Sequence, residues 1–286
     1  MKYKLTDETK QFQGKTLHRI VCVTAFDSVT AGELGGWIES EENLSQVGNA
    51  WVYDNAVVYG NAWVFENAKV YGNAKVSDSA EVCDDAEVCG NAVVYRNARV
   101  YGNAKVSDNA VVRDDAIVSG NAVVRDNAKV YGDAKVYGDA EVYGNAKVSD
   151  NAVVRDNAKV SDNAVVRDNA WVYGEAGVSD NVNVYGNAKV SDNVNVSDKA
   201  EVCGNAVVRD NADYIVLKNN WSSGRYFTYI SSNDKWKVGC FYGSGEELIA
   251  KAYRDSQLSG DCYKAAVEFV EKIKEAKKKA KATEEK

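Results

Sequence analysis

Valine stands at every sixth position of this chain from Val52 to Val208, 27 times without an exception. Two residues before each one stands alanine, from Ala50 to Ala206, replaced only by Val182 and Val194. Between a valine and the next alanine run polar triplets, Tyr-Gly-Asn, Ser-Asp-Asn or Arg-Asp-Asn, as in Val70-Tyr71-Gly72-Asn73-Ala74-Lys75-Val76. A period of six excludes an α-helix, whose apolar stripe recurs at 3.6 residues. Ala-x-Val reads as a short strand in which alternation turns Ala and Val to one face and x to the other. The Gly/Asp-Asn pair that follows suits a corner with one residue at positive φ. Each hexad is then one strand and one corner, and three hexads close a triangular coil of about 18 residues. The expectation is an all-β solenoid of about nine coils, roughly 40 Å long at the strand spacing of a sheet. Alanine and valine are what so narrow an interior accepts, since bulkier side chains would overpack it. Stacked coils should also bring the corner asparagines into ladders.

Outside the repeat the pattern changes, and the chain divides into residues 1–48, 49–212 and 213–286. A solenoid end exposes unpaired backbone and an open core, so residues 1–48 are expected to cap it. Within them Lys15 to Thr24 reads as a strand, and the pair Trp37-Ile38 could plug the first coil. After Ala212 come Tyr214 to Leu217 and two alternating segments, Arg225–Ser231 and Lys235–Tyr242, separated by the turn Ser232-Asn233-Asp234. These predict a small β-meander. A helix capped by Ser244 is expected to about Ser256, and a second from about Ser259 to Ala280. Cys262, Ala266, Phe269, Val270 and Ile273 recur at helical spacing and are expected to pack on the meander, which completes a small C-terminal α+β module.

The repeat, an aliphatic residue, three corner residues and a small residue, resembles the hexapeptide-repeat, left-handed parallel β-helix family, and residues 50–212 match throughout. The family includes many trimeric acyltransferases, so the resemblance implies a left-handed coil and allows acyl transfer. Tyr3–Thr9, Leu34–Ser40 and Val238–Gly243 also resemble segments of uncharacterised hexapeptide-repeat proteins of phages and prophages, often labelled as transferases or polymer-forming proteins. Acyl transfer in the family generally uses a histidine base beside the solenoid, often with a loop inserted between coils. Here His18 is the sole histidine, it lies outside the repeat, and no hexad from Val52 to Val208 is interrupted.

That departure decides the functional expectation. A non-enzymatic structural or binding protein is expected, a rigid rod presenting its C-terminal module, with His18 structural and no cofactor. Two alternatives stay open: a hexapeptide-repeat acyltransferase with its site between subunits, and a phage protein that sequesters a host protein or a signalling nucleotide. The aromatics Trp221, Tyr226, Tyr229, Trp236 and Tyr242 are the candidate binding residues. Sorted by coil, the outward x positions make one stripe headed by Val57, a second headed by Trp63 and a mostly polar third headed by Trp51. On the second, Trp63, Ile117, Val153, Trp171 and Val207 are candidates for self-association or a protein partner.

Charge and cysteines only narrow this. A net charge of −7 and a pI near 5.0 give no electrostatic reason for nucleic-acid binding. No run behind the first lysines resembles a signal peptide and none approaches a membrane span, so a cytoplasmic location is expected. The six cysteines make no metal or disulfide framework. Cys83 and Cys89 fall on different faces, with no cysteine one coil away. Gly243-Ser244-Gly245 is read as a helix cap rather than a phosphate cradle, because Glu246 and Glu247 follow.

Overall fold

A computed structural model of the chain describes the backbone of residues 1–284 and the side chains of residues 1–280. It is a parallel β-solenoid of about ten turns, with a small antiparallel sheet and two helices at its C-terminal end. The solenoid strands β4 (Trp51–Val52) to β30 (Val207–Val208) are two residues each and form three parallel sheets. Each strand pairs with the one a full coil later, so Val94 lies on Val112 and Val112 on Val130. Every valine of the series and every alanine before it is shielded from solvent.

The corners explain the polar triplets. The residue two beyond each valine from Val52 to Val202 adopts positive φ, and it is Gly or Asp at all but two corners, Glu66 (φ 59°) and Arg96 (φ 64°). A Cβ built on Gly120 would come within 3.0 Å of the Gly138 backbone, so coils stack there with little room for a side chain. Aspartate has a further use at this position. Its carboxylate accepts the backbone N–H of the corner one coil on, as Asp168 does from Gly186 at 2.9 Å and Asp84 from Gly102 at 2.8 Å. The asparagine that follows forms the expected ladder, Asn73 to Asn91 to Asn109 to Asn127, at 3.2, 3.1 and 3.3 Å.

The N–H groups of the x residue and of the residue after each valine donate to carbonyls of the following coil, as from Trp51 to Ala68, while the parallel pairing of the valines runs bonds the other way. The first and last coils are therefore left with unpaired backbone groups, and both ends need caps. Donors cover the start. Trp37, Glu39 and Ser45 give backbone N–H groups to Ala56, Val58 and Val64. The Asn43 amide donates to Gly60 and Ala62, and the Lys2 amine to Ala50 at 2.8 Å. Acceptors cover the finish, where Thr228 Oγ1, Ser232 Oγ and Asn211 Oδ1 take the N–H groups of Glu201, Val207 and Asn195.

The N-terminal segment joins the solenoid rather than sitting on it. β1 (Tyr3–Phe12) and β2 (Lys15–Cys22) form an antiparallel hairpin, and β3 (Leu34–Ile38) pairs with β2 and, in parallel, with β5 (Val57–Val58). Trp37-Ile38 is thus a strand of an extra turn and not a plug. Ile38 and Leu44 continue the inward valine series, while Trp37 faces out beneath Lys10 and Arg19. The approach of β3 depends on Gly35 and Gly36. A Cβ on Gly36 would lie 2.7 Å from Val52 Cγ1 and 2.8 Å from the Ala56 carbonyl. The start of the rod is closed by Trp51, fully buried against Tyr3 and Phe26.

Burial of the Lys2 amine lowers its pKa to about 8, below the ordinary lysine value of about 10.4. The unfolded chain then holds more protons than the folded one between these values. Stability should therefore rise with pH across that window and be flat, as far as Lys2 is concerned, below it. Urea titrations at pH values on either side, comparing the parent with Lys2→Met, check this: the rise should be smaller in the variant.

The C-terminal module begins with β31 (Tyr214–Lys218), whose Tyr214 and Val216 pack on the end of the solenoid core. It continues as a meander through β32 (Tyr226–Ile230), β33 (Lys235–Val238) and β34 (Phe241–Gly243). Helix α1 (Gly245–Asp255) opens on a capping box, Ser244 Oγ accepting from Glu247 N and Glu247 Oε2 from Ser244 N. Helix α2 (Gln257–Glu284) packs Tyr263, Val267 and Val270 against Phe227, Trp236 and Leu248. The expected packing stripe is met in part, with Cys262 and Ala266 half-buried against this core. Val270 belongs to the core, but Phe269 is 49% exposed and Ile273 half-buried.

Candidate functional site

Three regions carry side chains that could do chemistry or bind. The solenoid surface is the first. Trp63, Ile117, Val153, Trp171 and Val207 all lie on one sheet, as their spacing requires, but charged rungs separate them. The Glu81–Arg99 ion pair stands between Trp63 and Ile117, and Lys135 between Ile117 and Val153. Trp63 stacks on Phe65 at 3.9 Å, and Arg155 lies over Trp171. The residues just after the valines pair along the coils instead, with Arg113 over Tyr131 and Arg167 over Tyr185. Each of these arginines also meets the aspartate that follows it, so their charge is spent within the rod.

At the N-terminal end the tip of the β1–β2 hairpin overhangs the sheet headed by Val57. Phe12 packs edge-on to Tyr59, and the Tyr59 hydroxyl donates to Gln13 at 2.9 Å. Beneath the tip is a groove of about 480 Å³ with Lys75, Ser77 and Tyr95 on its walls and Val93 and Val111 as floor. His18 stands five residues further along β2. Alternation places it opposite Leu17, which faces Trp37, Val57 and Tyr59, so its imidazole and the groove lie on opposite sides of the strand. The ring is half-buried and makes no hydrogen bond to any described residue. Its ring nitrogens are therefore left to solvent or to a group from outside the described residues.

The C-terminal aromatics do not converge. Tyr229 and Trp236 are core residues of the module, buried against each other and Phe227, because β32 and β33 turn those positions toward α1 and α2. Tyr226 lies between the Lys199 and Lys218 amines beside a shallow pocket of about 260 Å³. The Tyr242 hydroxyl accepts from Asn233 and reaches the Cys203 carbonyl at the solenoid end. Trp221 alone is largely free, 78% exposed, and it overhangs an apolar groove of about 560 Å³ between β31 and α2.

All six cysteines are free thiols. Burial raises the pKa of Cys22 and Cys203, and that of Cys83 to about 11, so these thiols stay protonated and are poor nucleophiles. Cys83 does meet Glu66 and Asp84, their ligand atoms lying within 4.8 Å of one another. Glu66 already accepts the Asp84 N–H at 2.8 Å, and the thiol resists ionisation, so the trio is a poor metal site. Among the described residues no helix is long and apolar enough to cross a membrane.

Two segments of the repeat, residues 50–66 and 98–114, match the family model described as "YdcK Beta solenoid repeat". The chain is a β-solenoid built on a six-residue repeat. A relative from Escherichia coli (strain K12), named "Uncharacterized acetyltransferase YdcK", is 37% identical over 67 residues. That stretch covers 20% of this chain and 21% of the relative. The finding overturns the expectation of a non-enzymatic structural or binding protein. That expectation rested on a repeat with neither an imidazole nor an inserted loop. The relative's name favours instead the alternative of a hexapeptide-repeat acyltransferase. That the His18 ring makes no hydrogen bond to any described residue is not visible in the sequence.

Proposed function

We propose that this chain is an acyltransferase that moves an acyl group from a thioester donor to an amine or hydroxyl acceptor. The likeness of its repeat to that of a protein named as an acetyltransferase carries the reading. His18 is the base and takes the acceptor's proton as the acceptor attacks the thioester carbonyl. The C–S bond breaks, and the departing thiolate takes up the proton. Because His18 and the groove under the hairpin tip lie on opposite sides of β2, the site is completed by a second copy. His18 of one subunit meets the groove of another, where Val93 and Val111 bed the donor's apolar arm and Lys75 supplies a cation for its anionic end. Held together in this way, donor and acceptor react without a coil insertion to shape the pocket.

Calorimetry with coenzyme A and a thiol-release assay with acetyl-coenzyme A over a panel of amines and alcohols test this. Micromolar coenzyme A binding and acceptor-dependent thiol release are expected. Absence of coenzyme A binding would sink the reading. Absence of turnover with binding intact would show only that the acceptor is missing from the panel.

A further inference from the structure

The corner column of asparagines that begins at Asn55 ends on a cation. Amides in it donate to the side-chain oxygen one coil on, as Asn145 does to Asn163 at 3.2 Å. After Asn181 the next place is held by Lys199, the one basic residue at this corner position between Asn49 and Asn205. Lysine offers no acceptor, so the Asn181 amide has nothing to donate to in its column. Two further cations come from the meander. Lys218 and Tyr226 are a register pair on β31 and β32, and paired residues of an antiparallel sheet share a face. The Lys199 and Lys218 amines both stand over the Tyr226 ring, 5.1 and 5.6 Å from its centre. Arg225 lies along Gly239, where a Cβ would come within 3.6 Å of Arg225 Cδ. Lys199, Arg225, Tyr226, Asn181 and Asn183 line a hollow of about 260 Å³ where the last coil meets the meander.

Lys199, Lys218 and Arg225 form no ion pair with a carboxylate among the described residues. Elsewhere in the rod such charges are met, Arg155 by Asp156 at 2.7 Å and Arg167 by Asp168 at 3.0 Å. The one carboxylate in the hollow, Glu201, accepts from the Tyr185 hydroxyl at 3.1 Å and faces Lys237 at 3.5 Å. Three like charges around one ring repel one another, in a chain whose net charge is −7, and an anion set among them removes the repulsion. We propose that this hollow binds a diphosphate group, held by Lys199, Lys218 and Arg225 with the Asn181 amide as a further donor. A guanidinium fork and two amines suit phosphate oxygens, and a diphosphate brings enough charge to balance all three. The hollow is below the roughly 300 Å³ at which small-ligand sites begin, and amines already cover the Tyr226 ring, so the anion is recognised and a nucleobase is not. Lys199 belongs to the solenoid and the other two cations to the meander, so the bound anion ties the C-terminal module to the rod. The site lies at the far end of the rod from the groove under the hairpin tip, and it stands or falls without the acyl-transfer reading.

Calorimetry of the full chain with pyrophosphate at fixed ionic strength tests the proposal. One anion per chain is expected, with a higher melting temperature at saturation. Lys199→Asn completes the asparagine column and should fold as the parent does, yet weaken binding at least tenfold. Lys218→Gln and Arg225→Gln should each weaken it about fivefold. Lys147→Asn removes a cation from the middle of the rod, and Val93→Asp spoils the groove under the hairpin tip. Both should leave pyrophosphate binding within about a factor of two. Adenosine diphosphate bound within about threefold of pyrophosphate assigns the site to the end of a nucleotide, and weaker binding assigns it to the free anion. Equal binding by the parent and Lys199→Asn, several anions per chain, sulfate bound as tightly as pyrophosphate, or no binding at millimolar pyrophosphate overturns the proposal.

Discussion

A Val130→Asp chain should lose about 4 kcal/mol or more of stability and melt roughly 10 °C below the parent, with a new protease-sensitive site near the substitution. Val130 is fully buried between Val112 and Val148 in an interior lined by alanine and valine. A carboxylate placed there finds no donor within the coil. The backbone N–H groups of each rung are already given to the next coil, Lys129 N to the Ala146 carbonyl and Val111 N to Ala128. The charge must then be neutralised, or the coil must open. A solenoid is stabilised chiefly by contacts between neighbouring repeats, so the lesion should open the coils around it before the rod as a whole. Far-ultraviolet dichroism should show two transitions where the parent shows one. Lys129→Asp is the control. It places the same charge one residue away on the exposed side of the same strand and should change stability by no more than about 0.5 kcal/mol. A Val130→Asp chain that melts within a degree or two of the parent would place residue 130 outside the core.

How much of this was legible in the sequence depended on periodicity. The valine series states its own burial, because a six-residue repeat admits one strand and one corner per unit and closes after three. Asparagine ladders follow from the same arithmetic. The corner aspartates were legible only in part. Their tolerance of positive φ is a local property, but the bond from Asp168 to the Gly186 N–H exists only once coils are stacked. The N-terminal turn was not legible at all as a turn. Ile38, Leu44 and Val52 are spaced six and then eight apart, so the series breaks its period where the chain first enters the solenoid. From the sequence alone Trp37 accordingly reads as a plug. At the other end, the spacing of Cys262, Ala266, Phe269 and Val270 announces an apolar helix. It does not say that Tyr263 and Val267 join the same buried side while Phe269 is left exposed. Side-chain isolation is less legible still. Nothing in Thr16-Leu17-His18-Arg19 tells that the imidazole bonds no described residue.

His18→Ala should lower kcat for acyl transfer by at least about a hundredfold, the smaller end of what a positioned general base contributes. The melting temperature should stay within a degree or two, because the ring makes no hydrogen bond to any described residue. Coenzyme A affinity should change little, since the donor lies in the groove of the other subunit and the base acts on the acceptor. This split between kcat and donor binding separates a base from a residue that merely holds β2 in place, whose loss would disturb the hairpin and the groove together. Added imidazole should restore part of the rate. The arrangement between copies has its own test. Val93→Asp puts a charge on the floor of the groove and should abolish donor binding in a chain that keeps His18. Mixing that chain with His18→Ala should return a fraction of parent activity. Where the two meet, one supplies the imidazole and the other an intact groove. Recovery on mixing requires an oligomer, and a parent protein that sediments as a monomer while turning over at full rate would place base and donor within a single chain. A His18→Ala chain that turns over like the parent removes the base assignment, and acyl transfer would then need a carboxylate or the acceptor's own amine to carry the proton.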